Sequence, residues 1–168
     1  MKSLKIAVGI LLCLPFLGWA GLRSYNSIIF NRNIGGHLKR AADSNSIELA
    51  KQELKLAIDQ IEAGGLTHGY TSVLYNTPDE DVGFWCTNIK SCLNQINELP
   101  PVANQGEKDL VLMKLRQTLL DHKDGHEVET VPSGISVFPY NIAICVLGWL
   151  SAILATLGAV VVFIGLCD

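Results

Sequence analysis

The hydrophobic pattern divides the chain into three parts, which are an apolar run near each end and an amphipathic middle. The second run, residues 142–167, carries no charged side chain and does not alternate between apolar and polar residues. An α-helix of about 20 apolar residues crosses a bilayer core of about 30 Å. Because only helices and closed barrels satisfy their backbone hydrogen bonds in lipid, the run predicts a transmembrane helix over 142–168.

The first apolar run, residues 6–22, is uncharged and follows two lysines. Two interpretations are open. Residues 1–22 could be a retained transmembrane helix, kinked at Pro15. Alternatively, they could be a signal peptide with the small-x-small sequence at 18–20 as its cleavage site. We favour the retained helix, because the apolar run is long for the core of a signal peptide.

The middle region, residues 23–130, has the periodicity of a small helical bundle. Three of its segments repeat apolar residues every three or four positions and end at glycine or proline, namely 45–63, 77–99 and 104–122. We expect the pair Gly35-Gly36 to interrupt the chain before a short helical piece at 37–43. Residues 131–141 contain proline and glycine and predict an irregular linker.

Polar residues predict where two of these helices begin. Asn45 and Glu48 have the spacing of a capping box, and Thr77 and Glu80 have the same spacing around a proline. The acidic residues 79–81 would then complement the helix macrodipole. We therefore interpret this acidic cluster as a helix start rather than as a cation site.

Together these patterns predict an all-α, membrane-anchored protein, in which two terminal transmembrane helices flank a small helical-bundle domain. The Lys/Arg residues on the two sides of the first run are nearly balanced, so the positive-inside rule decides little. The short basic stretch before that run is typical of an export signal. We therefore expect the middle domain to be extracytoplasmic.

The formal net charge of the chain is −3, and Lys and Arg do not cluster in the middle region. This balance argues against a nucleic-acid-binding surface and against a polybasic patch that docks on anionic lipid. The sequence has no glycine-rich phosphate loop and no GxSxG motif. We therefore expect no cofactor and no enzymatic activity.

Two sets of residues could carry metal or redox chemistry. His122 and His126 are four residues apart and would share one face of a continuous helix, but Gly125 lies between them and a third ligand is not evident. Cys86 and Cys92 fall on one predicted helix at a spacing that suits packing better than a disulfide. A metal or redox sensor remains an alternative function.

Aromatic residues concentrate around one loop and one predicted helix start, at Tyr70, Tyr75, Phe84 and Trp85. Such side chains often anchor protein interfaces, but they also close hydrophobic cores. We take these four residues as a candidate partner surface, with closure of the core as the competing interpretation.

Small residues recur every three or four positions in the last helix, at Gly148, Ala152, Ala155 and Ala159. Small side chains allow helix backbones to approach closely in lipid. This pattern predicts packing against the first helix of the same chain or against a helix of a partner, including a second copy. A homo-oligomeric scaffold or pore is therefore a second alternative, although residues 142–167 contain no Asp, Glu, Lys, Arg or His that could form an ion path.

The sequence GYTSVLY at 69–75, followed by TPDEDVGFW at 77–85, resembles a block found in uncharacterised bacterial proteins. The resemblance extends over 45–99, and that family usually has Tyr at the position of Cys86. It implies a bacterial origin and a helical domain, and it carries no catalytic residue. We expect a small protein of the bacterial inner membrane that serves as a non-catalytic interaction or assembly module, or as an accessory subunit of a membrane complex. Its expected partners are the lipid bilayer and another membrane protein.

Overall fold

The structure is a computed structural model that describes residues 2–123 and 125–167. Met1, Asp124 and Asp168, which belong to the predicted first helix, middle domain and last helix, lie outside the described residues. The described chain is mostly helical and contains five helices, as the sequence predicts. These are α1 (Lys2–Ala42), α2 (Ile47–Ala63), α3 (Val82–Asn97), α4 (Gln105–Leu119) and α5 (Asn141–Cys167).

Helices α1 and α5 pack side by side and run in opposite directions. Lys2 near the start of α1 donates a hydrogen bond to the carbonyl of Leu166 near the end of α5. Farther along, Trp19 reaches the carbonyl of Ile144. Both helices are long and apolar enough to cross a membrane, and little of either apolar stretch is buried within the protein. The prediction of two long apolar helices is therefore confirmed.

Helix α1 does not stop at Gly35-Gly36, so the predicted interruption is wrong. Residues Asn31–Gly35 form one π-helical turn, and Gly36–Ala42 resume the α-helix. Glycine weakens a helix, but burial of Phe30, Ile34 and Leu38 along this stretch offsets that weakness. One continuous helix therefore leads from the apolar pair into the core of the middle domain.

The core of the middle domain lies between the last turns of α1 and helices α2, α3 and α4. Its largest fully buried side chains are aliphatic, namely Leu38, Leu54, Ile61, Val82 and Ile89. Full burial of such a side chain stabilises a fold by about 1.5–3 kcal/mol. This shared core is the small helical bundle that the periodicity predicts.

One buried carboxylate ties α1 to α2. Glu53 is buried on α2, and its Oε2 lies 2.6 Å from Nδ1 of His37. The Nε of Arg40 donates to the same oxygen at 3.2 Å. Because a buried charge is tolerated only with partners, these contacts specify how the two helices pack.

Two predicted helix starts are displaced. Helix α2 is capped by Ser46, whose Oγ accepts the backbone N–H of Leu49, and not by Asn45. Helix α3 begins at Val82 and is capped by Asp81 rather than Thr77. A 3-10 turn, Pro78–Glu80, precedes it, and the Thr77 hydroxyl donates to the carboxylate of Glu80.

Pairing with an earlier loop explains the late start of α3. Tyr70 forms an antiparallel bridge with Asp81, and the backbone N–H of Thr71 donates to the backbone carbonyl of Glu80 at 3.0 Å. The backbone N–H of Val82 donates to the backbone carbonyl of Gly69 at 2.9 Å. These bonds hold Asp81 in an extended conformation, so the 3-10 turn before it does not continue into α3.

Residues after Leu119 form a β-hairpin, whereas the sequence predicts that a helix continues to residue 122. Strand β1 (Leu120–Lys123) pairs antiparallel with β2 (His126–Glu129), so the domain is not purely α-helical. Gly125 has φ +80°, a left-handed conformation that favours the tight turn of a hairpin. The dipeptide Asp-Gly at 124–125 is the sequence signal that the helical interpretation missed.

The segment 131–141, predicted to be an irregular linker, is ordered against the domain. Ile135 and Val137, which form a 3-10 turn, are buried. Asn141 at the start of α5 is also buried, and its Nδ2 donates to the carbonyl of Thr71 at 2.6 Å. Both α1 and α5 are therefore held firmly to the domain.

Candidate functional site

Glycine residues bring α1 and α5 into backbone contact. A Cβ atom added to Gly158 would lie 2.5 Å from the carbonyl oxygen of Gly9, and one added to Gly148 would lie 2.7 Å from the ring of Trp19. An added Cβ atom would overlap its neighbours at these distances, so only glycine fits at these two positions. The two helices therefore approach more closely than any larger residue at these positions would allow.

The four predicted packing residues do not all lie in this contact. Gly148 is buried against Trp19, and the carbonyl of Ala155 accepts a hydrogen bond from the Cys13 thiol at 3.7 Å. Ala152 is half-buried, whereas Ala159 is exposed. The buried positions of α5 are instead spaced seven or three residues apart, at Asn141, Gly148, Ser151, Gly158 and Gly165. Gly165 was not part of the predicted pattern, although it lies seven residues after Gly158 in the sequence.

An aromatic and cationic cluster marks the end of the helix pair that meets the domain. The indole Nε1 of Trp19 donates to the carbonyl of Ile144 at 2.7 Å. The ring of Phe16 stacks on Trp19 with 5.6 Å between centroids, and the guanidinium carbon of Arg23 lies 5.4 Å from the Trp19 ring centroid. These contacts fix the orientation of Arg23 through a cation–π interaction.

The predicted partner surface separates into exposed and buried members. Tyr75 and Phe84 are 72% and 63% exposed, and Tyr70 is partly exposed. Trp85 is only 6% exposed, packs 6.5 Å from the ring of Phe30 and donates from Nε1 to the carbonyl of Thr130 at 2.9 Å. Trp85 therefore closes the core, as the competing interpretation holds for that residue.

Phe84 and Trp85 line a groove, here called the acidic groove, with a volume of about 600 Å³. It lies between α1, the start of α3 and the hairpin. Its lining includes more acidic than basic side chains, with Asp79, Asp81, Asp121 and Glu129 against Lys123. The two acids from the hairpin were not predicted to belong to a site, because the sequence pattern does not place that segment against α3.

The two thiols of the middle domain are poorly suited to redox sensing. Cys86 and Cys92 are both buried. Burial raises the pKa of the Cys86 thiol, although Lys90 partly opposes this effect. Burial also raises the pKa of Cys92, although a hydrogen bond with Thr118 lowers it in part. A reactive cysteine needs a lowered pKa and solvent access, so these thiols fit a packing role better.

The two histidines lie on opposite strands of the hairpin and not on one helix face. His122 in β1 is opposite Glu127, and His126 in β2 is opposite Lys123. Nε2 of His122 lies 3.8 Å from a carboxylate oxygen of Glu127. Among residues 2–123 and 125–167, no three His, Cys, Asp or Glu side chains are grouped so as to hold a metal ion.

Comparison with protein families, curated proteins and solved structures found no match for this chain. The described chain therefore offers two candidate functional features, which are the glycine-packed helix pair and the acidic groove. Helix α1 contributes to both, since Phe30 and Asn31 line the groove while Gly9 and Trp19 contact α5. The groove is thus held at a set distance from the apolar pair.

Proposed function

We propose that this protein is an integral membrane protein that acts as a non-catalytic interaction module, or as an accessory subunit of a membrane complex. In this proposal α1 and α5 span the bacterial inner membrane, with the domain on the extracytoplasmic side. The acidic groove binds a basic and partly apolar segment of a partner protein close to the membrane surface.

Apolar exposure on the helix pair supports a membrane location. Large apolar side chains face outward along both helices, among them Leu11, Leu17, Trp149, Leu150 and Phe163. Soluble monomeric proteins rarely expose contiguous apolar surface of this extent. Lipid would cover it, and the uncharged stretches are long enough for the hydrocarbon core.

The pairing of an exposed Phe84 with an acidic rim carries the proposed interaction. An aromatic side chain that is accessible beside a partly enclosed cavity is a common anchor point for a partner. Asp79, Asp121 and Glu129 complement a basic segment, and such charge complementarity mainly raises the association rate and specificity. The continuity of α1 keeps the groove in a fixed orientation near the bilayer.

Photo-cross-linking of the full-length protein in native membranes tests this proposal. We expect a photoreactive phenylalanine analogue at Phe84 to capture one defined partner, and the charge reversals Asp79→Lys and Asp121→Lys to abolish that capture. Placement of the same analogue at the exposed Leu110 on α4 is the matched control. Asp59→Lys, exposed on α2 and outside the groove, is the control for charge. Equal capture from Leu110, or capture that survives both reversals, would contradict the proposal.

A homo-oligomeric scaffold or pore has less structural support. The glycine face of α5 is occupied by α1 of the same chain, so self-association would need another surface. Native mass spectrometry in detergent separates the alternatives, because a scaffold or pore predicts a ring or array and the interaction module does not require one.

A further inference from the structure

A second cavity lies where the helix pair meets the domain. It has a volume of about 360 Å³ and is here called the junction cavity. Helix α1 contributes Phe16, Trp19 and Arg23, helix α5 contributes residues from Asn141 to Ala152, and the loop after α2 contributes Thr71 and Val73. The cavity therefore has walls from both apolar helices and from the domain.

The position of Arg23 places this cavity at the expected level of the lipid headgroups. Arg23 is the first charged residue after the uncharged run 6–22. Trp149, which lines the cavity from α5, is exposed on the outer surface of the pair. Tryptophan and arginine at the end of an apolar span are typical of the membrane–water interface.

The chemistry of the cavity suits an anionic amphiphile. The guanidinium of Arg23 stacks on Trp19, and no acidic side chain pairs with it among the described residues. Arginine offers a planar set of donors that fits phosphate oxygens. The walls formed by Phe16, Val73 and Ile144 are apolar and would contact the hydrocarbon part of such a ligand.

A buried hydroxyl group on a residue that lines the cavity provides a second, independent observation. Thr71 is 4% exposed, and its Oγ1 has no hydrogen-bond partner among the described residues. The Oγ of the neighbouring Ser72 is also buried without a partner there. Buried polar atoms are nearly always satisfied, so the unsatisfied hydroxyl of Thr71 in the cavity wall indicates that a polar group belongs nearby.

We propose that the junction cavity binds one anionic phospholipid, with its phosphate on Arg23 and the first part of its acyl chains against the apolar walls. The lipid would fill the space between the helix pair and the loop around Thr71, and would stabilise their contact. This proposal rests on the membrane location proposed above, but not on the interaction that we assign to the acidic groove, because the two sites are separate.

Native mass spectrometry of the purified full-length protein in a neutral detergent tests the proposal. The probes are phosphatidylglycerol and phosphatidylcholine with the same acyl chains. We expect one phosphatidylglycerol to be retained in preference to phosphatidylcholine. Loss of the charged hydrogen bonds in Arg23→Gln should weaken retention by about tenfold or more. The control is Arg32→Gln, which removes the same exposed charge from the same helix outside the cavity and should leave retention unchanged.

A second variant and a competitor keep the test decisive if Arg23→Gln folds poorly. Ala152→Phe narrows the cavity from α5 without altering Arg23, and should also reduce retention. Inorganic phosphate at millimolar concentration should not displace the lipid, because it lacks the apolar contacts. Equal retention of both lipids, equal effects of Arg23→Gln and Arg32→Gln, no effect of Ala152→Phe, or full displacement by phosphate would each overturn the proposal.

Discussion

The helix pair and the middle domain hold together by different means. In the domain, large aliphatic side chains such as Leu54 and Ile61 fill a shared core. In the pair, the buried positions are mainly glycine, and a Cβ atom added to Gly158 would lie only 2.5 Å from the carbonyl oxygen of Gly9. The hydrophobic effect drives burial in water but does not act between helices in lipid, where close packing and hydrogen bonds must replace it.

A change in side-chain volume should therefore have opposite consequences in the two regions. Removal of side-chain volume should harm the domain, whereas addition of volume should harm the helix pair. Helix α1 takes part in both kinds of packing, since Gly9 lies in the pair and Leu38 lies in the core. This contrast leads to paired substitutions with opposite expected effects.

The largest expected effect is on the core of the domain. Leu54→Ala removes a fully buried side chain and should lower the free energy of unfolding by about 2–5 kcal/mol. Denaturant unfolding in detergent, followed by tryptophan fluorescence, measures the change. Leu56→Ala on the same helix, where the side chain is exposed, should have little effect. Equal losses in the two variants would show that α2 buries a different face.

The helix pair should respond to added volume instead. Gly158→Leu places a side chain against the carbonyl of Gly9, which cannot move aside, and should weaken the pair by about 1–3 kcal/mol. The alkylation rate of Cys13, resolved by peptide mass spectrometry, reports the separation, because this thiol lies in the contact. A Cβ atom added to Gly18 meets no atom within 4 Å, so Gly18→Leu serves as the control. Identical rates in the two variants would count against glycine packing.

A smaller effect distinguishes the two possible starts of α3. Asp81→Ala removes the side chain that caps the N–H of Phe84, and should lower domain stability by about 1 kcal/mol. Thr77→Ala should have a smaller effect, because the Thr77 hydroxyl bonds to Glu80 and not to the backbone of α3. Thermal unfolding of both variants provides the comparison. A larger loss for Thr77→Ala would restore the helix start that the sequence predicts.

A hydrogen bond across the helix pair should contribute less. Trp19→Phe removes the indole donor to Ile144 and should weaken the pair by about 0.6 kcal/mol, an average value for such bonds in membranes. The Cys13 alkylation rate reports this change as well. The control Trp149→Phe shortens an exposed ring on α5 and should leave the rate unchanged.

The smallest effect concerns the pH dependence of the domain. Burial raises the pKa of Cys86 and Cys92, so the unfolded chain releases thiol protons first as the pH rises. Their contribution to stability is therefore complete below the ordinary thiol pKa of about 8.5 and declines above it. Denaturant unfolding between pH 8 and 9.5 should show a shallower decline for the double variant Cys86→Ala and Cys92→Ala than for the native protein. Parallel curves would indicate that the two thiols ionise equally in both states.

Much of the helical architecture was predictable from local pattern. The two apolar runs and the amphipathic periodicity of α2, α3 and α4 identified all five helices, and α4 begins directly after Asn104, where the predicted segment starts. The errors lie at element ends and connections. The cap of α2 lies at Ser46, one residue beyond the predicted Asn45, which is within the usual uncertainty of helix ends. The Asp-Gly signal before the second strand was present in the sequence, but the helical interpretation passed over it.

The candidate sites were less predictable than the helices. Phe84 and Asp79 were identified as notable residues, but the groove that contains them also needs Asp121 and Glu129 from the hairpin. The junction cavity joins Arg23, Thr71 and Asn141, which are far apart in sequence and carry no shared motif. Such sites form only when separate elements pack together, so residue type alone does not reveal them.

The sequence by itself determined the two long apolar helices and the bundle between them, because helix formation and apolar length follow from neighbouring residues and their periodicity. Only the tertiary structure decided which face of α5 packs on α1, that α1 continues through Gly35-Gly36, and that Asp81 rather than Thr77 caps α3. Each of these outcomes depends on the energy of a contact between residues distant in the chain. Such contacts override weak local preferences by supplying burial or hydrogen bonds that the local segment lacks.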